Sequence, residues 1–195
     1  MKQRVLLLAL LVFFVLVNCR LVTGLGSGSQ AGLADEYAVY SALIKSVSQD
    51  DSAQTIVIHA TTEVDKQMAG AKELQYVQTE LKGVTQALVD DFTARSRQVL
   101  TLEQRFDLRS KVVLLTQAEI QAIFKKGGWD EFYRQYPNSH GTLVLSRVGF
   151  NASVDQALVY ASSQSHPLAG AGFYYLMAKE NGEWKIKQQL MVWIS

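Results

Sequence analysis

AGFYYLMAKENGEWKIKQQLMVWI, Ala171–Ile194, decides the fold. Asn181-Gly182 sits between two runs rich in aromatic and branched side chains. A type I′ turn needs positive φ at both central positions, which Asn and Gly tolerate. Ala171–Glu180 and Glu183–Ile194 are therefore predicted to form a hairpin. In the second strand Trp184, Ile186, Leu190, Val192 and Ile194 share one parity, and Lys185, Lys187 and Gln189 share the other. That alternation predicts one buried and one wetter face.

Working back along the chain, Thr142–Phe150 and Gln156–Ser162 are two further candidate strands, joined by loops bearing Asn, Ser, Pro and Gly. Together with the hairpin they make a four-strand meander. Before residue 142 the apolar period is mostly helical. Leu33, Tyr37, Tyr40, Ile44 and Val47 recur at steps of four and three, on one helix face. Leu74, Val77, Leu81, Val84, Leu88 and Phe92 do the same, and Gly83 can divide them into two helices. Between these lie two short strand candidates, Gln54–Ala60 and Val112–Thr116.

Thr116-Gln-Ala-Glu119 is a capping box, in which the threonine oxygen accepts the third helical amide and the glutamate reaches back. Gly127-Gly128 closes that helix, Trp129, Phe132, Tyr133 and Tyr136 begin another aromatic face, and Pro137 ends it. Helices first and a meander afterwards predict an α+β domain over 33–195, its N-terminal helices packed on one face of a mostly antiparallel sheet.

The N-terminus carries a different signal. Met1–Arg4 is cationic and Val5–Val17 is an unbroken apolar run, the pattern of an export signal. A membrane span takes about 20 apolar residues, and Arg20 interrupts this one, although Leu21–Leu25 can prolong it into a retained anchor. Leu16-Val17-Asn18-Cys19 resembles the lipobox of bacterial lipoproteins, which makes Cys19 a candidate lipid-attachment site; Asn18 departs from the small residue usual there. Cleavage further on, after Gly24, is the alternative. Residues 1–24 thus read as a signal peptide or membrane anchor and 25–32 as a flexible Gly/Ser tether. Both readings place the domain outside the cytoplasm, in the periplasm, the envelope or the medium.

Composition excludes several classes of function. Lys2, Arg4 and Arg20 lie in the leader, so 16 of the 19 Lys+Arg remain against 18 Asp+Glu, a net of −2 for residues 25–195. Such a body does not grip a phosphate backbone, and nucleic acid is not an expected partner. Cys19 is the only cysteine, which leaves the body without a disulfide, a cysteine metal site or a thiol nucleophile. His59, His140 and His166 are too scattered for ligand spacing, and no metal or cofactor is expected. Gly170-Ala171-Gly172 resembles the start of a dinucleotide loop, but Tyr175 stands where a small residue belongs and a strand follows instead of a helix. Asp90-Asp91 and Asp130-Glu131 are neighbours in sequence, so each pair splays apart and reads as solvated helix surface. Asn151-Ala-Ser153 is a glycosylation sequon, meaningful only in a eukaryotic secretory pathway.

One residue stands out. Arg147 interrupts the apolar strand LVLSRVGF, and by strand alternation it shares a face with Leu143 and Leu145. A guanidinium there needs an acceptor, either a structural carboxylate or an anionic ligand. The aromatics Trp129, Phe132, Tyr133, Tyr136, Tyr174 and Tyr175 read as core at their helical and strand spacings.

The run from Trp129 through Tyr136-Pro137, Ser146-Arg147-Val148-Gly149-Phe150-Asn151, Gln156–Tyr160, Leu168-Ala169-Gly170 and Trp193-Ile194-Ser195 resembles a group of small uncharacterised exported bacterial proteins. That resemblance implies export and no activity. The closing strand, Asn181-Gly182 and Trp184-x-Ile186 also resemble the terminal sheet of NTF2-like domains, which host enzymes and binders alike. Two functions follow: a noncatalytic extracytoplasmic binding or interaction domain, or a small NTF2-like enzyme whose Arg147 holds an anionic substrate.

Overall fold

The computed structural model describes residues 30–48, 50–63 and 69–195; the leader, with Cys19, lies outside the described residues. The elements run α1 (Leu33–Val47), β1 (Thr55–His59), α2 (Ala71–Glu80), α3 (Gln86–Ser96), β2 (Lys111–Leu115), α4 (Gln117–Gln135), β3 (Thr142–Leu145), β4 (Gly149–Phe150), β5 (Gln156–His166), β6 (Ala169–Glu180) and β7 (Glu183–Ile194). The class is α+β, as the pattern of periods predicts.

Local chemistry explains most boundaries. Thr116 Oγ1 accepts from the Glu119 amide while the Glu119 carboxylate takes the Thr116 amide at 2.8 Å, so the capping box forms as read. Thr85 caps α3 by accepting from the Leu88 amide. Within α4 the backbone leaves helical geometry at Gly127 and Gly128 (φ 60°, ψ −140°), so the two glycines break the helix without ending its run. Asn181 and Gly182 both have positive φ, 53° and 86°, and carry the β6–β7 turn.

The sheet has the order β2-β1-β3-β5-β6-β7, with β4 also paired to β5. β1 runs parallel to β2 and β3, because helical segments separate them in sequence, and the rest is an antiparallel meander. Thr142–Phe150 is not one strand. Leu145 pairs with Ala161 and Gly149 with Leu158, so three residues, Ser146–Val148, oppose two. This β-bulge interrupts alternation.

The helices do not all pack on one face, which corrects the one-sided arrangement. Ala157, Val159 and Ala161 of β5, with Tyr175 and Met177 of β6, join the core beneath α1. Leu158, Tyr160, Tyr174 and Leu176 point the other way and pack on α2 and α3. On that second face α4 covers the β1–β2 end, with Ile123, Trp129 and Phe132 against Val57 and Leu115. Val57 pairs with Thr142 and Thr142 with Gln164, which has the parity of Leu158 and Tyr160, so the two clusters share a side. The physical reason is that the meander's inner strands are apolar at consecutive positions, and both faces then need cover.

The parity of β7 is also not constant. Leu176 pairs with Gln188 but Met177 with Ile186, a register shift that leaves Lys187 unpaired. Trp184 and Ile186 therefore join the α1 side, whereas Leu190 and Val192 join the α2–α3 side.

Candidate functional site

Arg147 lies in the Ser146–Val148 bulge, whose extra residue gives Val148, not Arg147, the place in line with Leu145 and Phe150 in the α1 core. The guanidinium meets Glu36 of α1. Nε donates to Glu36 Oε2 at 2.9 Å and Nη2 to Oε1 at 2.7 Å, and Nη1 donates to the Gln98 carbonyl. Glu36 is fully buried and also accepts the Val148 amide and the Tyr40 hydroxyl. Arg95 of α3 reaches the same carboxylate at 3.3 Å, donates to Asp91 at 2.8 Å and sits 5.3 Å above the Phe150 ring. Asp91 in turn accepts the Phe150 amide. Two arginines and two carboxylates thus join α1, the bulge and α3. All three nitrogens of Arg147 are engaged, so its acceptor is a structural carboxylate.

The other carboxylate pairs are not plain helix surface either. Asp91 belongs to that network, and Glu131 is buried against Arg134, Gln135 and Lys126, which hold its carboxyl down to about 2. Asp90 and Asp130 are exposed. Asn151 spends its side chain on its own loop, accepting the Asp155 and Gln156 amides. Trp129, Phe132, Tyr133 and Tyr136 form the aromatic core under α4. Gly172 is a close-approach glycine: a Cβ there falls 2.1 Å from the Trp193 indole nitrogen, which donates to Tyr160 at 2.7 Å. Among the described residues no three His, Cys, Asp or Glu side chains cluster as metal ligands. No helix of the described residues is long and apolar enough to cross a membrane.

Hollows among the described residues lie elsewhere. A groove of about 280 Å3 opens between the C-terminal half of α1 and the sheet face formed by β1, β3, β5 and β6. Leu43, Ile44, Leu143 and Phe173 form apolar walls, and Gln54, His140 and several hydroxyl residues supply polar points. Among the described residues Arg147 does not line it, and neither does any Lys, Asp or Glu. Gln54 Nε2 lies 3.1 Å from His140 Nδ1, while Gln54 Oε1 is buried without a partner among the described residues. Exchanging the amide's ends leaves one of them unpaired in either orientation.

Tyr175 also lines this groove. It is 6% exposed, and among the described residues its hydroxyl makes no hydrogen bond. Burial pushes the phenol up to about 12. Reading Tyr174-Tyr175 as core holds for both: Tyr174 faces α3, and Tyr175 belongs to the core beneath α1, where it also lines the groove. A second hollow, about 820 Å3, separates α2 from α3; Leu74, Val89 and Phe92 line it together with Gln78, Asp90 and Arg97, so it carries charged groups that the first lacks. No family model, curated protein or solved structure matches the chain.

Proposed function

We propose that the folded part is a noncatalytic binding domain carried outside the cytoplasm, whose site is the groove between α1 and the sheet. The observation that carries this reading is the groove's composition: apolar walls, a few fixed polar points and, among the described residues, no Lys, Arg, Asp or Glu in the lining. Concave, mostly apolar sites of this kind hold small molecules, and 280 Å3 lies at the small end of their range. A lining without formal charge favours a neutral occupant, because an ion loses its hydration there with no counter-charge to replace it. The export-type leader and Gly/Ser tether support delivery across a membrane, with Cys19 as the point where a lipid would retain the domain.

An anionic substrate at Arg147 has Glu36 to displace from two close hydrogen bonds. The binding reading is therefore put forward ahead of an Arg147 enzyme. Thermal unfolding of the full chain with a panel of small neutral and anionic molecules tests it. A ligand that binds only the folded state at 100 times its Kd stabilises by about 2.7 kcal/mol. Neutral members of the panel are expected to raise the midpoint, and Ala161→Leu, which fills the groove floor, is expected to abolish the rise. A midpoint that responds equally in Ala161→Leu overturns the assignment.

A further inference from the structure

We propose that the side-chain carboxamide oxygen of Gln54 accepts a hydrogen bond from the groove's ligand, so that the ligand class is small neutral hydrocarbons bearing a hydroxyl or amide N–H donor. This inference rests on the binding reading above and adds the chemistry that selects the ligand.

Other buried side chains show what this protein does with a polar oxygen. Ser41, Ser110, Ser139 and Ser146 donate to backbone carbonyls, and Thr62 accepts the Leu100 amide. Gln54 is as deeply buried, at 7% exposed, yet its Oε1 has no partner among the described residues. The backbone of Gln54 is engaged, its amide donating to the Asp51 carbonyl and its carbonyl accepting the Lys111 amide. Nε2 can only donate, so His140 Nδ1 is its acceptor. His140 is exposed, and water serves a ring nitrogen there nearly as well as a glutamine does. Buried polar groups are nearly always paired, and one left unpaired costs stability that a methionine in the same place does not. Packing and the His140 bond therefore leave the oxygen at 54 unexplained, and a donor on the ligand explains it. Ser96 Oγ and Trp184 Nε1 also lack partners among the described residues, but Ser96 is half-buried beside the α2–α3 cleft and Trp184 packs within the α1 core.

Gln54 immediately precedes β1 and lines the groove together with His140 and the last turn of α1. Its oxygen is enclosed as it stands. The last torsion of a glutamine is broad, and a turn about it presents the oxygen to the groove. The surroundings fix the ligand's charge. A carbonyl oxygen disfavours an anion, and among the described residues the lining supplies no cation to offset an anion's lost hydration. An ammonium group finds no carboxylate in that lining either. A neutral O–H or N–H is left as the donor.

The test compares 1-hexanol with methyl pentyl ether, an isomer that keeps the oxygen as acceptor and loses the donor, by calorimetric titration of the full chain and of Gln54→Met. The parent is expected to bind the alcohol at least about tenfold more tightly than the ether, the scale on which a site built for a hydrogen bond rejects an analogue lacking it. This preference is read without any variant. Gln54→Met is expected to bind the two within about threefold, the difference arising from weaker binding of the alcohol. Its ligand-free unfolding midpoint is expected to equal or exceed the parent's, which also shows that the variant folds. Hexylammonium is expected to bind the parent at least about tenfold more weakly than the alcohol. A parent that binds the ether as tightly as the alcohol, the result expected if the amide's free end were its NH2, overturns the inference. So does a Gln54→Met protein that keeps the preference, or hexylammonium binding as tight as the alcohol. If both ligands bind equally and Ala161→Leu abolishes both, the inference falls and the groove stands. If neither ligand binds the parent, or if Ala161→Leu leaves both affinities unchanged, the groove itself is not the site and the binding reading falls as well.

Discussion

Glu36 and Arg147 lie 111 residues apart in sequence and share two hydrogen bonds inside the protein. Removing one member of a buried ion pair strands the other, at about 3–5 kcal/mol. Glu36→Ala strands Arg147 and unbalances Arg95 as well, and urea unfolding is expected to show a loss in that range. A change below about 1 kcal/mol, the value of an exposed pair, would show that the network is solvated. Arg147 was legible in the sequence because a guanidinium inside an apolar strand is conspicuous. Its partner was legible only in part. Glu36 shares its helix face with Tyr40, Leu43 and Ile44, so a carboxylate on the buried side of α1 was there to be matched with a buried cation. Glu131 offers a pH test. Its carboxyl is held near 2 against an ordinary 4.5, so the stability it contributes is complete above about pH 4.5 and is lost as the pH falls toward 2. Between those values the unfolding midpoint of Glu131→Gln is expected to fall less steeply with acid than the parent's; parallel curves would contradict the assigned partners.

Bulges are the feature of this fold that period counting reads worst, at the scale of the strand. One extra residue at Ser146–Val148 sends Arg147 out of line, and one at Lys187 swaps the faces of β7. Neither leaves a mark in composition, because a bulge is set by the partner strand's register. The element types themselves were legible: the capping box, the Asn181-Gly182 turn and the helical steps of α1 each follow from local chemistry. Double cover of the sheet was legible too, in Ala157–Ala161, five consecutive apolar residues where a half-wet strand alternates. It predicts that neighbours on β6 are equally costly to truncate. Leu176→Ala empties the α2–α3 side and Met177→Ala the α1 side, and each is expected to lose about 2–5 kcal/mol in denaturant unfolding. A near-neutral result for either would mean that one face is wet. Thr116→Ala removes the α4 cap, with an expected loss of about 1 kcal/mol in the same measurement.

Across the whole molecule, α1 lies on one face of the sheet and α2, α3 and α4 lie on the other. The ionic network ties the N-terminal half of α1 to the bulge, while the C-terminal half roofs the groove. The groove had no local signature in the sequence. Its walls come from α1, β1, β3, β5 and β6, and each residue taken alone is an ordinary core or strand residue. Two-dimensional NMR of the full chain, titrated with a small neutral molecule that raises its unfolding midpoint, places the ligand without presupposing its site. Saturable shifts are expected at the amides of Leu43, Ile44, Leu143, Ala161 and Phe173 and not in the α2–α3 cleft, and they are expected to vanish in Ala161→Leu. Shifts that gather elsewhere, or that survive that substitution, would contradict a binding site between α1 and the sheet.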